Sequence, residues 1–344
     1  MSCPSVYYLF IFEVLIVYFN MSPSHIFNIK DQEEFCNLAL DTFLYQYENV
    51  PLYRNFCDAL GADVKAVSKL TDIPFLPIEF FKREPIIASG KKEEIIFYSS
   101  GTTGTNRSKH YVADLNLYSQ SFLKAFEMNF GDLKDLTILA LLPSYLEQKG
   151  SSLVYMVDSL IKKTANPKSG FYLHNTNELR ETLLNLEEKG QQTILIGVSY
   201  ALLDLVENHR FELKNTLVME TGGMKGRRKE MIREELHHIL KMGFGVSRIY
   251  SEYGMTELLS QAYSKGDGVF TCPPWMKILT RDTEDALSYV KNKTGGVNVI
   301  DLANRYSCSF IATQDLGKVD AQGNFEILGR FDTSDIRGCN LMVI

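Results

Sequence analysis

The sequence has no Cys-x-x-Cys pair, no Walker A run, no Gly-x-Gly-x-x-Gly fingerprint and no arm of basic residues. Each absence removes a class of function. The six cysteines (Cys3, Cys36, Cys57, Cys272, Cys308 and Cys339) are scattered, which argues against a zinc centre, and a chain of 344 residues needs no disulfide framework. They read as reduced thiols of a cytoplasmic protein. His237 and His238 are adjacent, so they cannot ligate from one helix face as i, i+4 partners do. The formal net charge is −6, and the one basic cluster, Lys225-Gly-Arg-Arg-Lys229, is short, so no nucleic-acid partner is expected.

Long apolar runs are equally scarce. Val6 to Phe19 is apolar apart from Glu13, too short to cross a bilayer comfortably. No basic residue precedes it and no small-residue cleavage site follows, which excludes a signal peptide as the reading. No stable membrane insertion is expected. Residues 1–20 read as a non-native or disordered extension ahead of a natural start at Met21.

What is present is an ordinary globular composition, 45% hydrophobic and 23% charged, long enough for about two domains. Repeats and low-complexity segments are missing. Apolar residues Phe35, Leu38, Ala39, Phe43 and Leu44 recur at helical spacing until Pro51, and a second short helix spans roughly Leu52 to Leu60. Ile73 to Lys82 reads as extended and proline-punctuated, because each proline pushes its predecessor out of the helical region. Asp114 is a good N-cap for a helix stopped by Gly131.

Strand and helix then alternate. Strands are expected at Leu136–Leu142, Thr193–Val198, Thr216–Met219 and Ser247–Ser251. The helices between them are 153–162, Thr176–Lys189, Tyr200–Asn208 and Arg228–Met242, the last closed by Gly243. That order implies an α/β fold, a largely parallel sheet with helices on both faces. From Val269 the texture turns β-rich, which divides the chain into an α/β region, 21–268, and a small β subdomain with its following segment, 269–344.

The stretch Tyr98-Ser-Ser-Gly-Thr-Thr-Gly-Thr-Asn-Arg-Ser-Lys109 carries the most chemistry. An apolar lead-in (Ile95, Ile96, Phe97) runs into a polar loop, and His110-Tyr-Val-Ala returns as a strand, so the loop joins two strands. Gly101 and Gly104 permit close backbone approach. Ser99, Ser100, Thr102 and Thr103 add hydroxyl donors that can wrap a polyphosphate together with loop amides. Arg107 and Lys109 add positive charge. A surface loop rich in Ser, Thr and Gly has the same composition; the order of residues separates the two readings.

Four further motifs follow. Glu220-Thr-Gly-Gly-Met224 ends a strand in two glycines and leaves backbone bare for a flat ring. Tyr250-Ser-Glu-Tyr-Gly-Met-Thr-Glu257 delivers an aromatic, a glycine, a hydroxyl and a carboxylate within five residues; Glu257 can hold Mg²⁺ through oxygen. Phe310-Ile-Ala-Thr-Gln-Asp315 puts a carboxylate after an apolar strand. Leu328-Gly-Arg-Phe-Asp332 comes last.

In this order the motifs closely resemble those of the adenylate-forming superfamily, the acyl-CoA ligases, luciferases and peptide-synthetase adenylation domains. The resemblance covers roughly residues 30 to 344. It implies an ATP- and Mg²⁺-dependent enzyme of the large-domain architecture. Ser99, Ser100, Thr102, Thr103, Gly104 and Lys109 would then lie at the phosphates, and Gly222, Gly223 and Tyr253 at adenine. Thr256 and Glu257 would hold phosphate and metal, and Asp315 and Arg330 the ribose.

The chain ends at Ile344, just past the Gly-Arg-Phe-Asp motif, so the superfamily's mobile C-terminal domain is expected to be absent. With Arg337-Gly-Cys-Asn-Leu341 near the end, the chain resembles the acyl-protein synthetase (LuxE-type, long-chain-fatty-acid–protein ligase) family. That resemblance implies activation of a fatty acid to acyl-AMP and transfer of the acyl group to a thiol, with Cys339 as the candidate acceptor. The acyl group would pass on to an acyl reductase, a carrier protein or CoA. Two alternatives stay open at this point, an aryl- or acyl-CoA ligase and a nucleotide- or acyl-binding module without turnover.

Overall fold

The structure is a computed structural model that describes residues 23–100, 107–143, 150–222, 228 and 231–331. Helix α1 (Gln32–Asn49) starts where the Asp31 side chain accepts from the Glu34 amide at 2.9 Å, and α2 (Pro51–Ala59) places Pro51 in its first turn, where a missing N–H costs nothing. The proline-punctuated stretch is only partly extended. After the two-residue strand β1 (Leu76–Pro77) the chain closes into a 3₁₀ turn, Ile78–Lys82, which Pro77 pre-sets with φ −57°.

Strands β2 (Ile95–Tyr98) and β3 (Lys109–Val112) form an antiparallel pair of their own, with the expected phosphate loop between them. Helix α3 (Leu115–Phe130) follows, capped by the Asp114 carboxylate on the amides of Asn116 and Leu117 and stopped by Gly131. The alternating segment comprises β4 (Thr137–Leu141), α4 (Ser152–Thr164), β5 (Gly170–Phe171), α5 (Thr176–Glu188), β6 (Thr193–Val198), α6 (Ser199–Asn208), β7 (Thr216–Thr221), α7 (Arg233–Phe244) and β8 (Tyr250–Tyr253). Every residue of β4 and β6 is buried, the pattern of parallel strands covered on both faces.

The last part is antiparallel: β9 (Ala262–Ser264), β10 (Val269–Thr271), β11 (Met276–Arg281), β12 (Gly295–Asp301), β13 (Phe310–Val319) and β14 (Phe325–Arg330). It is hydrogen-bonded to the parallel strands through β9, giving, among the described residues, one sheet of 12 strands in the order β11-β12-β13-β14-β10-β9-β8-β7-β6-β4-β5, with β1 beside β13. Trp275, the sole tryptophan, is buried and donates to Ser121 Oγ at 2.9 Å, tying this region to α3.

Several element boundaries differ from the sequence reading, three of them for a reason visible in the contacts. Helix α7 begins at Arg233, not Arg228, because the Arg228 guanidinium is drawn to Asp204 and Glu207 on α6. It ends at Gly245, whose φ of 68° needs no Cβ, rather than at Gly243. Gly243 serves packing instead: a Cβ there would meet Val206 Cβ at 2.4 Å, so the glycine sets how closely α6 and α7 approach. Strand β8 sits at Tyr250–Tyr253, a few residues later than expected, because Tyr250, Ser251 and Glu252 pair with Met219, Glu220 and Thr221.

Candidate active site

Strands β7 and β8 are parallel neighbours, so their C-terminal ends emerge side by side. In an open α/β sheet that edge is where ligands bind. At the end of β7 the chain turns at Gly222, φ 65°, and its carbonyl accepts from Ser199 Oγ at 2.7 Å. Beneath the turn the buried Glu220 carboxylate lies near Ser199 Oγ (3.3 Å), His237 Nε2 (3.6 Å) and Arg233 Nε (3.8 Å). A charge held in the interior needs such partners. At the end of β8, Gly254 lets the backbone pass close to the Glu252 carboxylate, where a Cβ would stand 2.4 Å from Oε1.

Tyr253, Asp315 and Arg330 form one connected group. Tyr253 donates its hydroxyl to Asp315 Oδ2 at 2.9 Å, and Arg330 Nε donates to Asp315 Oδ1 at 2.9 Å. Asp315 and Arg330 are direct cross-strand partners on β13 and β14. Burial first, and the Asp315 carboxylate second, push the Tyr253 phenol well above its ordinary range, so it stays protonated and donates. The ring is itself buried, edge-on to Phe270 and Phe325.

Thr256 and Glu257 are bound to the β2–β3 hairpin. His110, fully buried on β3, places Nδ1 2.8 Å from the Thr256 carbonyl and Nε2 2.9 Å from Asn304 Oδ1. Asn304 Nδ2 donates to the Glu257 carbonyl at 2.8 Å. Burial outweighs both contacts and pulls the imidazole down to about 4, so the ring is neutral and its single N–H serves one of the two oxygens. Ser108 hydrogen-bonds the Glu257 carboxyl. Burial raises that carboxyl above its ordinary range, and the Ser108 bond and the charges of Lys82 and Arg330 pull the other way.

The next turn is clamped by Asp301, which accepts from the amides of Leu259 (2.7 Å), Ser260 (3.0 Å) and Ala303 (3.2 Å) and from Ser260 Oγ (2.5 Å). Its complete burial lifts the carboxyl to about 6 against those four bonds.

The hairpin closes on itself: the Ser99 amide donates to the Ser108 carbonyl at 3.1 Å, and the Ser108 amide to Ser99 Oγ at 3.0 Å. Arg107 donates to the Ser99 carbonyl and lies over the Tyr98 ring, its guanidinium 5.5 Å from the centroid. Ser100 is exposed at the end of β2. Lys109 is exposed, whereas His110, the next residue on β3, is buried against Thr256. Because successive side chains of a strand point to opposite faces, Lys109 faces away from His110. Thr102, Thr103, Gly104, Gly223 and Cys339 lie outside the described residues.

The structure therefore brings together Ser99, Thr256, Glu257, Tyr253, Asp315 and Arg330, places Gly222 at the neighbouring strand end, and turns Lys109 from His110. Sequence reading missed Ser108, His110, Asn304 and Asp301. The alternation of β3 was the one signal for His110; Asn304 and Asp301 are too distant in sequence for any spacing rule to find.

The residues suit a magnesium nucleotide. Among the described residues no group of three or more His, Cys, Asp or Glu could hold a metal alone. Mg²⁺ commonly takes one or two carboxylates and completes its shell with phosphate and water, and Glu257 is a buried carboxyl whose oxygens are not saturated by cations. The thiols described are free: Cys57 and Cys272 are pushed up to about 12 by burial, and burial raises Cys308 as well, so these three are poor nucleophiles. Among the described residues no helix is long and apolar enough to cross a membrane.

No protein-family model matches the chain. It is 26% identical over 341 residues to a long-chain-fatty-acid–luciferin-component ligase of Vibrio harveyi, covering 91% of this chain and 88% of that protein. Its fold matches 2-hydroxyisobutyryl-CoA ligase, solved in an open conformation with 2-HIB-AMP and CoA, at a TM-score of 0.66 and 13% identity over 88% of this chain and 70% of that one. It also matches ATP-bound MatB from Rhodopseudomonas palustris at a TM-score of 0.51 and 20% identity over 68% of this chain. The chain spans about half of MatB's length, 47%. The fold is thus that of the adenylate-forming ligases, and in sequence the chain is similar nearly end to end to the Vibrio harveyi long-chain-fatty-acid–luciferin-component ligase.

Proposed function

We propose that this protein activates a carboxylic acid, a fatty acid on the strength of its similarity to the Vibrio harveyi ligase, by forming acyl-AMP from ATP with release of pyrophosphate, and then passes the acyl group to a thiol. One observation carries this reading. The Tyr253–Asp315–Arg330 group and the Ser108–Glu257 pair converge beside the β7 and β8 ends, in a fold shared with solved ligases that hold ATP or 2-HIB-AMP.

In the first step a carboxylate oxygen of the acid bonds to the α-phosphorus, the bond from that phosphorus to the bridging oxygen breaks, and pyrophosphate leaves with the electron pair. Asp315, fixed from both sides, offers acceptor oxygens to the ribose hydroxyls. The bare turn at Gly222 offers backbone to the adenine ring. Glu257 would hold Mg²⁺, which supplies positive charge against the phosphates when bound. Ser99 and Ser100 add hydroxyl donors at the phosphate loop. Preorganised donors and charges of this kind cost no reorganisation at the moment of reaction.

In the second step a thiolate attacks the acyl carbonyl carbon and AMP departs. Cys339 is the proposed acceptor, with an acyl reductase, a carrier protein or CoA receiving the group afterwards. Splitting one hard displacement into two easier ones is the general gain of covalent catalysis.

Acid-dependent exchange of labelled pyrophosphate into ATP tests the first step. Exchange with fatty acids supports the reading; exchange with none of them overturns it.

A further inference from the structure

The site described above needs a cation at the phosphates, and the strand alternation turns the expected one, Lys109, away from the His110 face. A different lysine stands in the right place. The 3₁₀ turn Ile78–Lys82 is pinned at two points to the strands that build the site. Glu79 accepts from Gln314 Nε2, one residue before Asp315 on β13. Phe81 is buried and packs edge-on against the His110 ring of β3 at 5.7 Å. Lys82 follows directly, so its backbone is fixed between the Ser108–His110 strand and the Asp315 strand. Its ammonium acts on the Glu257 carboxyl from that position, as Arg330 does.

The neighbouring cation is engaged elsewhere. Arg83 lies over the Phe80 ring, 5.9 Å from its centroid, and Phe80 in turn packs edge-on against Phe56. Lys82 is exposed, and its ammonium makes no hydrogen bond or salt bridge with any described residue. An ammonium whose backbone is held between the two strands of the site, and whose charge reaches the buried Glu257 carboxyl, is poised for an anionic ligand bound there. Lysine serves as a compact point charge for phosphate.

We propose that Lys82 is a phosphate-binding catalytic residue, whose ammonium contacts the triphosphate of ATP and offsets the charge that gathers on pyrophosphate as its bond to the α-phosphorus breaks. The lysine exchanges no proton; it enters and leaves the step as –NH₃⁺. This assignment rests on the adenylation reading above and adds a residue to it.

The test is pyrophosphate exchange with a fatty acid for wild type, Lys82→Gln, Lys82→Arg and, as an exposed control, Lys65→Gln, with ATP affinity measured by calorimetry in Mg²⁺. Lys82 is exposed, so all four proteins are expected to fold and melt alike. Lys82→Gln is expected to lower kcat/KM for ATP by about 100-fold, the loss typical of one preorganised transition-state donor. Lys82→Arg should recover part of it, and Lys65→Gln none should be lost. Values for Lys82→Gln within twofold of wild type in both kcat and KM would overturn the assignment. If wild type binds ATP but exchanges with no acid, adenylation falls while Lys82 is still judged: about tenfold weaker ATP binding in Lys82→Gln supports it, and equal binding overturns it. Failure of wild type to bind ATP overturns both.

Discussion

Arg330 Nε lies 2.9 Å from Asp315 Oδ1, directly across the β13–β14 pair, while Tyr253 from β8 holds the other oxygen of the same carboxylate. A neighbouring strand and a strand 62 positions earlier thus fix one carboxyl group from both sides. Arg330 is 76% exposed, so the ion pair itself adds little to stability, about 1 kcal/mol at most. Its value lies in orientation.

The first prediction concerns that group. Asp315→Ala removes the proposed acceptor for the ribose hydroxyls and frees both Tyr253 and Arg330. KM for ATP in pyrophosphate exchange is expected to rise at least about tenfold, in keeping with the loss of one or two charge-assisted hydrogen bonds. An unchanged KM would remove Asp315 from the nucleotide site.

A second prediction follows from Glu257. Glu257→Gln keeps the size and the hydrogen bond with Ser108 but removes the charge. Exchange should fall by about 100-fold or more, with the Mg²⁺ concentration for half-maximal rate shifted upward. Burial raises this carboxyl, and the ionised form is the one that would hold metal under the proposed function. The rate should therefore rise with pH through a value above the ordinary glutamate range, and Glu257→Gln should lose that limb.

A third prediction concerns stability against pH. Folding lowers His110 from 6.5 to about 4, so its contribution is full above 6.5 and is lost as pH falls through 4. Folding raises Asp301 from 3.8 to about 6, so its contribution is full below 3.8 and is lost as pH rises through 6. The two oppose each other between 4 and 6, each worth about 3 kcal/mol from its shift. Wild-type stability should change little over that window on their account. His110→Gln leaves Asp301 alone, so its stability relative to wild type should climb by about 3 kcal/mol from pH 7 to pH 4. Urea unfolding at both pH values checks this, and parallel curves for the two proteins would contradict it.

Much of the fold was legible because it is written in local signals. Asp114 caps where a cap was expected, Gly131 stops its helix, and the fully buried strands β4 and β6, apolar after their leading threonines, are read from their own residues. The errors came where tertiary contacts overrode local preference. Arg228 sits in a helix-compatible run but is taken by two carboxylates of α6, and Gly243 resembles a stop signal yet serves helix contact. In the site, Tyr253, Glu257, Asp315 and Arg330 were visible as ordered motifs. Their fixing residues were not, because Asn304 and Asp301 act on residues more than forty positions away.

Gly243 gives a fourth prediction. Gly243→Ala favours helix locally yet drives a methyl into Val206, so the protein should lose about 1–3 kcal/mol of stability. Reducing Val206 to alanine in the same chain should restore part of it. A stabilised Gly243→Ala protein would mean that α6 and α7 lie further apart than described.

The most direct measurement is the intact mass of wild type and Cys339→Ala after incubation with Mg·ATP and a series of fatty acids, with pyrophosphate followed in parallel. The account predicts acid-dependent pyrophosphate release by both proteins. It also predicts one hydroxylamine-labile acyl group on wild type that Cys339→Ala lacks. Release without an adduct would keep adenylation and assign the thiol to CoA, a carrier or a reductase. No pyrophosphate with any fatty acid would contradict the account at its centre.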